Sequence, residues 1–330
     1  MRRARIKIDA REGEAVYHVM TRTVNGERLL DDTAKEILRK QLWQIADYCG
    51  VQVITYAILS NHFHVLLRVP RKTHIPDAEL LRRYTVLYPK PTRYQTAKLE
   101  VIKGQLAQGG PEALAFTQKQ LALMGDVSAF MKLLKQRFSV WFNRTHQRYG
   151  TLWAERFKSV LVEGKAGVIR TMAAYIDLNA VRAGLVKDPK DYRFCGYGEA
   201  VAGNKAACEG LARVVETVSP RRDRVQSCYR QTLFGKGGAP KENALRISPE
   251  QVKKVMESQG HLPLADVLRC RVRYFSDGAV LGSQAFVQEY LQVYKHQTGR
   301  RSRKVPRPLP SVTEWGELTT LRGLRNQAFG

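Results

Sequence analysis

Apolar residues alternate with polar ones in some stretches of the first 200 residues and recur at helical spacing in others. Ala15 to Arg22 (AVYHVMTR) is dense in β-formers and predicts a first strand. Asn25-Gly26 marks a turn, and Asp31, Asp32 and Thr33 offer N-caps for a helix to about Cys49. Ile37, Leu38, Leu42, Ile45 and Ala46 recur at helical spacing within it, and Gly50 is placed to end it. Residues 51–59 predict a second strand. Ser60-Asn61 then turns tightly into a third, His62 to Val69, paired antiparallel with the second. Residues 71–125 break the rhythm and read as an insertion. A short helix is expected over 77–87, and Pro89, Pro91 and Gly109-Gly110-Pro111 divide the rest into loops and helical pieces. Between 127 and 144, Phe130, Leu133, Leu134, Phe138, Trp141 and Phe142 form the apolar stripe of a helix lying on a sheet. A fourth strand is expected over Trp153–Glu163, with Arg156 and Lys158 on one face. A last helix runs from Gly167 to about Arg182, with Gly184 near its end.

Strand, helix, strand, strand, helix, strand, helix is the order of an α+β, ferredoxin-like split-βαβ antiparallel sheet with one added C-terminal helix. A sheet covered by helices on one face is expected to leave its other face to a ligand. The pattern divides the chain into a first domain over 1–200, a small mostly helical accessory domain over 201–300, and a basic tail over 300–330. In the second, Ser248-Pro249-Glu250-Gln251 opens a short helix to Gln259. Further helices are expected over 263–271 and 283–295. With a turn at Asp277-Gly278 and Gly282 these fit a helix-turn-helix module or a plain helical bundle. The tail, with Arg300-Arg301-Ser302-Arg303-Lys304 before a proline-broken run, is expected to be poorly ordered alone and drawn to phosphates.

Charge narrows the partners. Lys and Arg number 55 against 30 Asp and Glu, a formal net charge of +25. Such an excess calls for a polyanion, nucleic acid before an anionic membrane. No run of about 20 apolar residues exists, so no membrane role is expected. No apolar stretch follows the basic first residues, so no secretory leader is expected either. The five cysteines are odd in number and form no C-x-x-C pair. They read as reduced thiols in a cytoplasmic protein rather than a disulfide or zinc framework.

The chemistry centres on Asn61-His62-Phe63-His64-Val65-Leu66-Leu67. On a strand His62 and His64 share one face, while Phe63, Val65 and Leu67 point into a core. Two imidazoles fixed side by side are half of a metal site, which needs a third protein ligand and open positions. The helix from Gly167 offers Tyr175 and Asn179 one turn apart, with Arg182 on the same stripe. A phenol, an amide oxygen and a guanidinium opposite two imidazoles are the parts needed to cut a phosphodiester covalently. A tyrosine is a poor nucleophile at neutral pH, so a metal or a neighbouring cation must activate it. An oxygen donor suits Mg²⁺ or Mn²⁺, and the imidazoles tilt the choice toward Mn²⁺. Arg156 and Lys158 are candidate DNA contacts, as are Arg22 and Arg182. His18 either borders the site or serves the structure, and Tyr149, Tyr192 and Tyr197 are rival nucleophiles.

Together, Asn61-His62-Phe63-His64, the segment Tyr149 to Ser159 (YGTLWAERFKS) and the run Tyr175 to Val186 (YIDLNAVRAGLV) resemble the single-tyrosine HUH transposases, in particular their REP-associated branch. Tyr17-His18-Val19 with Arg22 fits that family's first strand. The resemblance covers about residues 10–200. It implies a bacterial, nucleoid-associated enzyme that cuts and rejoins single-stranded DNA beside small hairpins, leaving a 5′-phosphotyrosine and a 3′-hydroxyl without ATP. It puts Tyr175 in the nucleophile's place, His62 and His64 in the metal's, and Asn179 in that of the third ligand. Relatives include monomers and dimers that place one subunit's tyrosine at the other's metal, so a homodimer is one expected state. The family usually has proline after the asparagine. Ala180 stands there in this chain and predicts a continuous helix. A rolling-circle initiator or relaxase is the competing enzyme reading, disfavoured by the single helix-borne tyrosine and the lack of a helicase P-loop. A hairpin-binding repressor that no longer cuts is the competing non-enzyme reading.

Overall fold

A computed structural model describes residues 5–215, 222–234, 275, 278–298, 305–308 and 318–322. The expected core unit is present: β1 (Ala15–Arg22), α1 (Asp32–Cys49), β2 (Gln52–Ile58) and β3 (His62–Val69), then α2 (Asp77–Val86), α3 (Arg93–Gln108), α4 (Pro111–Leu121), α5 (Val127–Thr145) and β4 (Lys158–Val162). These four strands lie in the order β2-β3-β1-β4, all antiparallel, as a split βαβ requires. Local chemistry sets the ends of the helices. Asp31 caps α1 through Ala34 N at 2.7 Å, and Gly50 closes it at φ 64°. Asp126 caps α5 through the amides of Ser128 and Ala129.

Alternation along β3 puts Phe63, Val65 and Leu67 under α1 and α5. The indole of Trp153 fills the gap there, edge-on to Phe63 at 5.6 Å and tilted against Phe138 at 5.7 Å. His62 and His64 face the other way. That second face is not open to a ligand as expected. It is covered by α6 (Ala166–Asp177), and His64 is 2% exposed. The reason lies in α6 itself, whose Val168, Met172, Ala173 and Ile176 are buried along with Tyr175.

Two other elements are shorter than the pattern predicts. The fourth strand begins at Lys158, not Trp153, so Arg156 does not share a strand face with Lys158. The indole of Trp153 turns into the core and donates to Lys135 O at 3.2 Å. Ala154 N meets Arg22 O, and a lone bridge links Thr23 to Trp153. The helix expected from Gly167 to Arg182 is interrupted at Leu178 and resumes as α7 (Asn179–Arg182), in spite of Ala180. Side chains enter the ladder at that point. Asn179 Nδ2 donates to the carbonyls of Tyr175 (3.1 Å) and Ile176 (3.2 Å), and Arg182 donates to Tyr175 O as well.

Within the insertion, α3 and α4 are full helices of 16 and 11 residues, joined at Gly109 and Gly110 with positive φ. After α7 come α8 (Gly196–Val201), α9 (Lys205–Val214) and α10 (Arg222–Phe234), then β5 (Gly278–Gly282), α11 (Gln284–Thr298), β6 (Arg307–Pro308) and β7 (Thr319–Arg322). Gly278 to Gly282 is therefore a strand and not the turn of a helix-turn-helix. It pairs parallel with β4, Leu161 opposite Val280, and β7 and β6 extend the sheet to seven strands. The helix expected over 283–295 is α11, capped by Ser283, whose Oγ accepts from Phe286 N at 3.4 Å and donates to Glu163. In the tail, Arg307 and Pro308 pair with β7. The helices expected over 248–259 and 263–271 lie outside the described residues. Among the described residues no helix is long and apolar enough to cross a membrane.

Candidate active site

Two hydrogen-bond chains fix the protons of the paired imidazoles. A carbonyl only accepts, so His18 Nδ1, 2.8 Å from Phe275 O, carries a proton. In a neutral His18 ring Nε2 is then an acceptor, and it lies 2.8 Å from His64 Nδ1. His64 therefore holds its proton on Nδ1 and presents a lone pair at Nε2. Burial first, then the neighbouring His18 and His62 and the guanidinium groups of Arg182 and Arg22, hold His64 well below the usual imidazole pKa, so it is neutral. The second chain runs through Asn61. Its amide nitrogen donates to Gly26 O at 2.9 Å, which orients Oδ1 as acceptor from His62 Nδ1 at 2.6 Å. In a neutral His62 ring the lone pair then also lies on Nε2. The two rings meet edge-on, with centroids 5.1 Å apart.

The facing helix is tied down at its C-terminal end. Buried Asp177 accepts from Thr55 Oγ1 on β2 (2.8 Å), Tyr229 Oη on α10 (2.5 Å) and Tyr197 N on α8 (3.2 Å). Two residues earlier, Tyr175 is brought against the histidines. Its ring stands edge-on to both His64 and His18, at 6.1 Å from each. The Arg182 guanidinium lies over the Tyr175 ring, 4.3 Å from its centroid, and Phe275 packs against it at 4.8 Å. A cation held on a phenol ring favours negative charge developing on the phenol oxygen. Tyr175, Asn179 and Arg182 are all buried, at 6%, 8% and 8% exposure.

The residues read from the sequence divide clearly. His62, His64, Tyr175 and Arg182 come together, and Asn179 sits one turn beyond Tyr175. Arg22 lies opposite His62 in the β1–β3 ladder and is exposed. Lys158 opens β4 opposite Met20, and Arg156 is exposed in the loop before it. Of the rivals, Tyr149 is 98% exposed on a loop, Tyr192 donates to Ile58 O at 2.6 Å and Tyr197 packs against Tyr229. The orienting groups Asn61, Asp177 and Phe275 were not assigned from sequence, and of the two roles open to His18 the structure puts it at the border of the site. Alternation along β1 puts His18 on the histidine face, a signal present in the chain.

The donor set suits a divalent ion. His64 is neutral with its lone pair on Nε2, and each of the two rings is oriented through its Nδ1, as in metal-binding histidines generally. His18 is excluded as a third ligand because its Nε2 is committed to His64. Among the described residues no three His, Cys, Asp or Glu side chains are grouped for a metal. The Asn179 amide nitrogen is held by the carbonyls of Tyr175 and Ile176, which leaves Oδ1 as the atom an ion could use.

A split-βαβ sheet that sets two lone-pair-bearing imidazoles against a helix-borne tyrosine has the parts for phosphodiester transesterification. Residues 13–84, which span β1 to α2 and include both histidines, match the family described as "Transposase IS200 like". A solved structure of a REP-associated tyrosine transposase bound to a REP hairpin is similar at 15% identity, with 62% of this chain and 86% of that chain covered and a TM-score of 0.39. No curated protein matches the chain.

Proposed function

We propose that the protein is a metal-dependent transposase that cuts and rejoins single-stranded DNA beside small hairpins. The observation that carries this reading is the placement of Tyr175, edge-on to two histidines and beneath the Arg182 guanidinium. In the step proposed, the Tyr175 oxygen attacks phosphorus and the bond from phosphorus to the 3′-oxygen breaks. The phenol proton passes to solvent, the departing 3′-oxygen takes one up, and the 5′-phosphate stays on the tyrosine. A bound Mg²⁺ or Mn²⁺ supplies Lewis acidity that relieves charge on the phosphate oxygens. His62 and His64 would hold it through Nε2, with Asn179 Oδ1 the candidate third donor. Arg182 steadies the phenolate as it forms. Arg22, Arg156 and Lys158 hold the strand at the His62 end of the sheet through its phosphates. The hairpin element rests on the resemblance of the three motifs, and the IS200-like match over 13–84 supports the class.

The deep burial of Tyr175 and His64 favours a second reading, a hairpin-binding protein that does not cut. One assay separates the two. Oligonucleotides from the DNA flanking the gene, labelled at either end, are incubated with protein and Mn²⁺ or Mg²⁺ and run on a denaturing gel. A protein-linked band carrying only the 3′-side label, lost with EDTA and in Tyr175→Phe, is the expected result. An adduct that survives in Tyr175→Phe removes Tyr175 as nucleophile. Tight hairpin binding with metal bound and no adduct establishes the second reading.

A further inference from the structure

The insertion carries a cleft that the cutting site does not use. It opens between the end of α2 and the start of α3, holds about 220 Å³, and is lined by Tyr84, Tyr88, Tyr94 and Lys98 among others. Tyr84 and Tyr88 stand 5.5 Å apart, tilted, with Phe116 of α4 behind Tyr84. Tyr94 is 74% exposed, a large aromatic surface left in water beside a hollow. It belongs to the α1 and α5 side of the sheet, since Arg137 of α5 lies over the Tyr88 ring at 5.6 Å and donates to Leu87 O. The histidines face the opposite side.

Charge identifies the occupant. Residues 80–99 contain no Asp or Glu but five Lys or Arg. Arg82 and Arg83 are paired with Glu79 and Asp47, whereas Lys90, Arg93 and Lys98 have no ion-pair partner among the described residues. Aromatic faces lining a hollow, with Lys98 in its wall, Lys90 and Arg93 next to lining residues in the chain, and no carboxylate in the segment, suit a flat π-system carried on a phosphate chain. An uncharged lipid or an apolar peptide would leave those cations unmatched. We infer that this cleft takes an unpaired base of single-stranded DNA, stacked on Tyr94 and Tyr88, with Lys98 and Arg93 on the flanking phosphates. The inference rests on the DNA reading above and adds a second contact, on the side of the sheet away from the histidines.

The test uses the full chain and oligonucleotides carrying single 5-iodouracil substitutions outside the hairpin. These are cross-linked by light and the modified peptide is identified by mass spectrometry, alongside affinities by fluorescence anisotropy at fixed salt. A cross-link within residues 84–98 is expected. Tyr94→Ala should weaken binding roughly 5- to 100-fold, the range for loss of one base stack, while Tyr94→Phe, which keeps the ring, should bind as the parent does. Tyr94 is exposed, so neither change threatens the fold. Strand that binds the parent chain but cross-links elsewhere, with Tyr94→Ala unaffected, overturns the cleft and leaves the cutting reading standing. Failure of the parent to bind any strand overturns both.

Discussion

His18 has both ring nitrogens committed, one to Phe275 O and one to His64 Nδ1. Replacing it with phenylalanine removes the acceptor that keeps the His64 proton on Nδ1 and so leaves Nε2 free for the proposed metal. His18→Phe is expected to weaken Mn²⁺ binding roughly 10- to 100-fold, the usual cost of losing an orienting partner of a metal-bound histidine. Gln offers an amide oxygen to the same proton, so His18→Gln should stay near the parent. Titration of free Mn²⁺ by electron paramagnetic resonance checks this without any DNA, and unchanged affinity in His18→Phe would sink it. At this scale the sequence was informative wherever chemistry and spacing are local. His62 and His64 follow from strand alternation, and Tyr175, Asn179 and Arg182 from helical spacing. The role of His18 was not legible, because it depends on a carbonyl far along the chain.

Asp177 decides how the tyrosine helix meets the sheet. Burial pushes its pKa up to about 6, against the pull of its bonds from Tyr229, Thr55 and Tyr197, which favour the charged form. The folded state then holds the proton more tightly than the unfolded chain does. The cost is absent below about pH 4, grows as pH rises, and is complete above the folded pKa, at roughly 3 kcal/mol. Urea unfolding should accordingly show stability falling between about pH 4 and pH 6, and Asp177→Asn should flatten that slope. The same slope in both proteins would count against the assignment. Elements with a strong period were legible to within a residue or two, as with α1 and α5. The break at Leu178 was not, because it is made by Asn179 and Arg182 side chains competing for backbone carbonyls. The late start of β4 was hidden for a similar reason. Trp153 looks like a strand residue until its indole is drawn into the core.

The whole sheet depends on residues far apart in the chain. Its order from β2 to β4 was legible, because it follows from alternating strands and helices with short connections. Its extension was not, since Gly278 to Gly282 reads locally as a turn and becomes a strand only by pairing with β4. Ending the chain at Asp277 would strip that partner and leave the β4 edge unpaired. The shortened protein is expected to melt at lower temperature and to aggregate with rising concentration, followed by differential scanning fluorimetry and light scattering. A C-terminal part that folded apart would leave both unchanged. The contact between His18 and Phe275 spans 257 residues. A ribosome adding about 5–20 residues per second needs roughly 13–50 s to travel from one to the other. For most of that interval the nascent chain has its histidine strand, and later its tyrosine, without the carbonyl that sets the His18 proton and through it that of His64. The histidines and the tyrosine are synthesised first, but their alignment waits until Phe275 has been added.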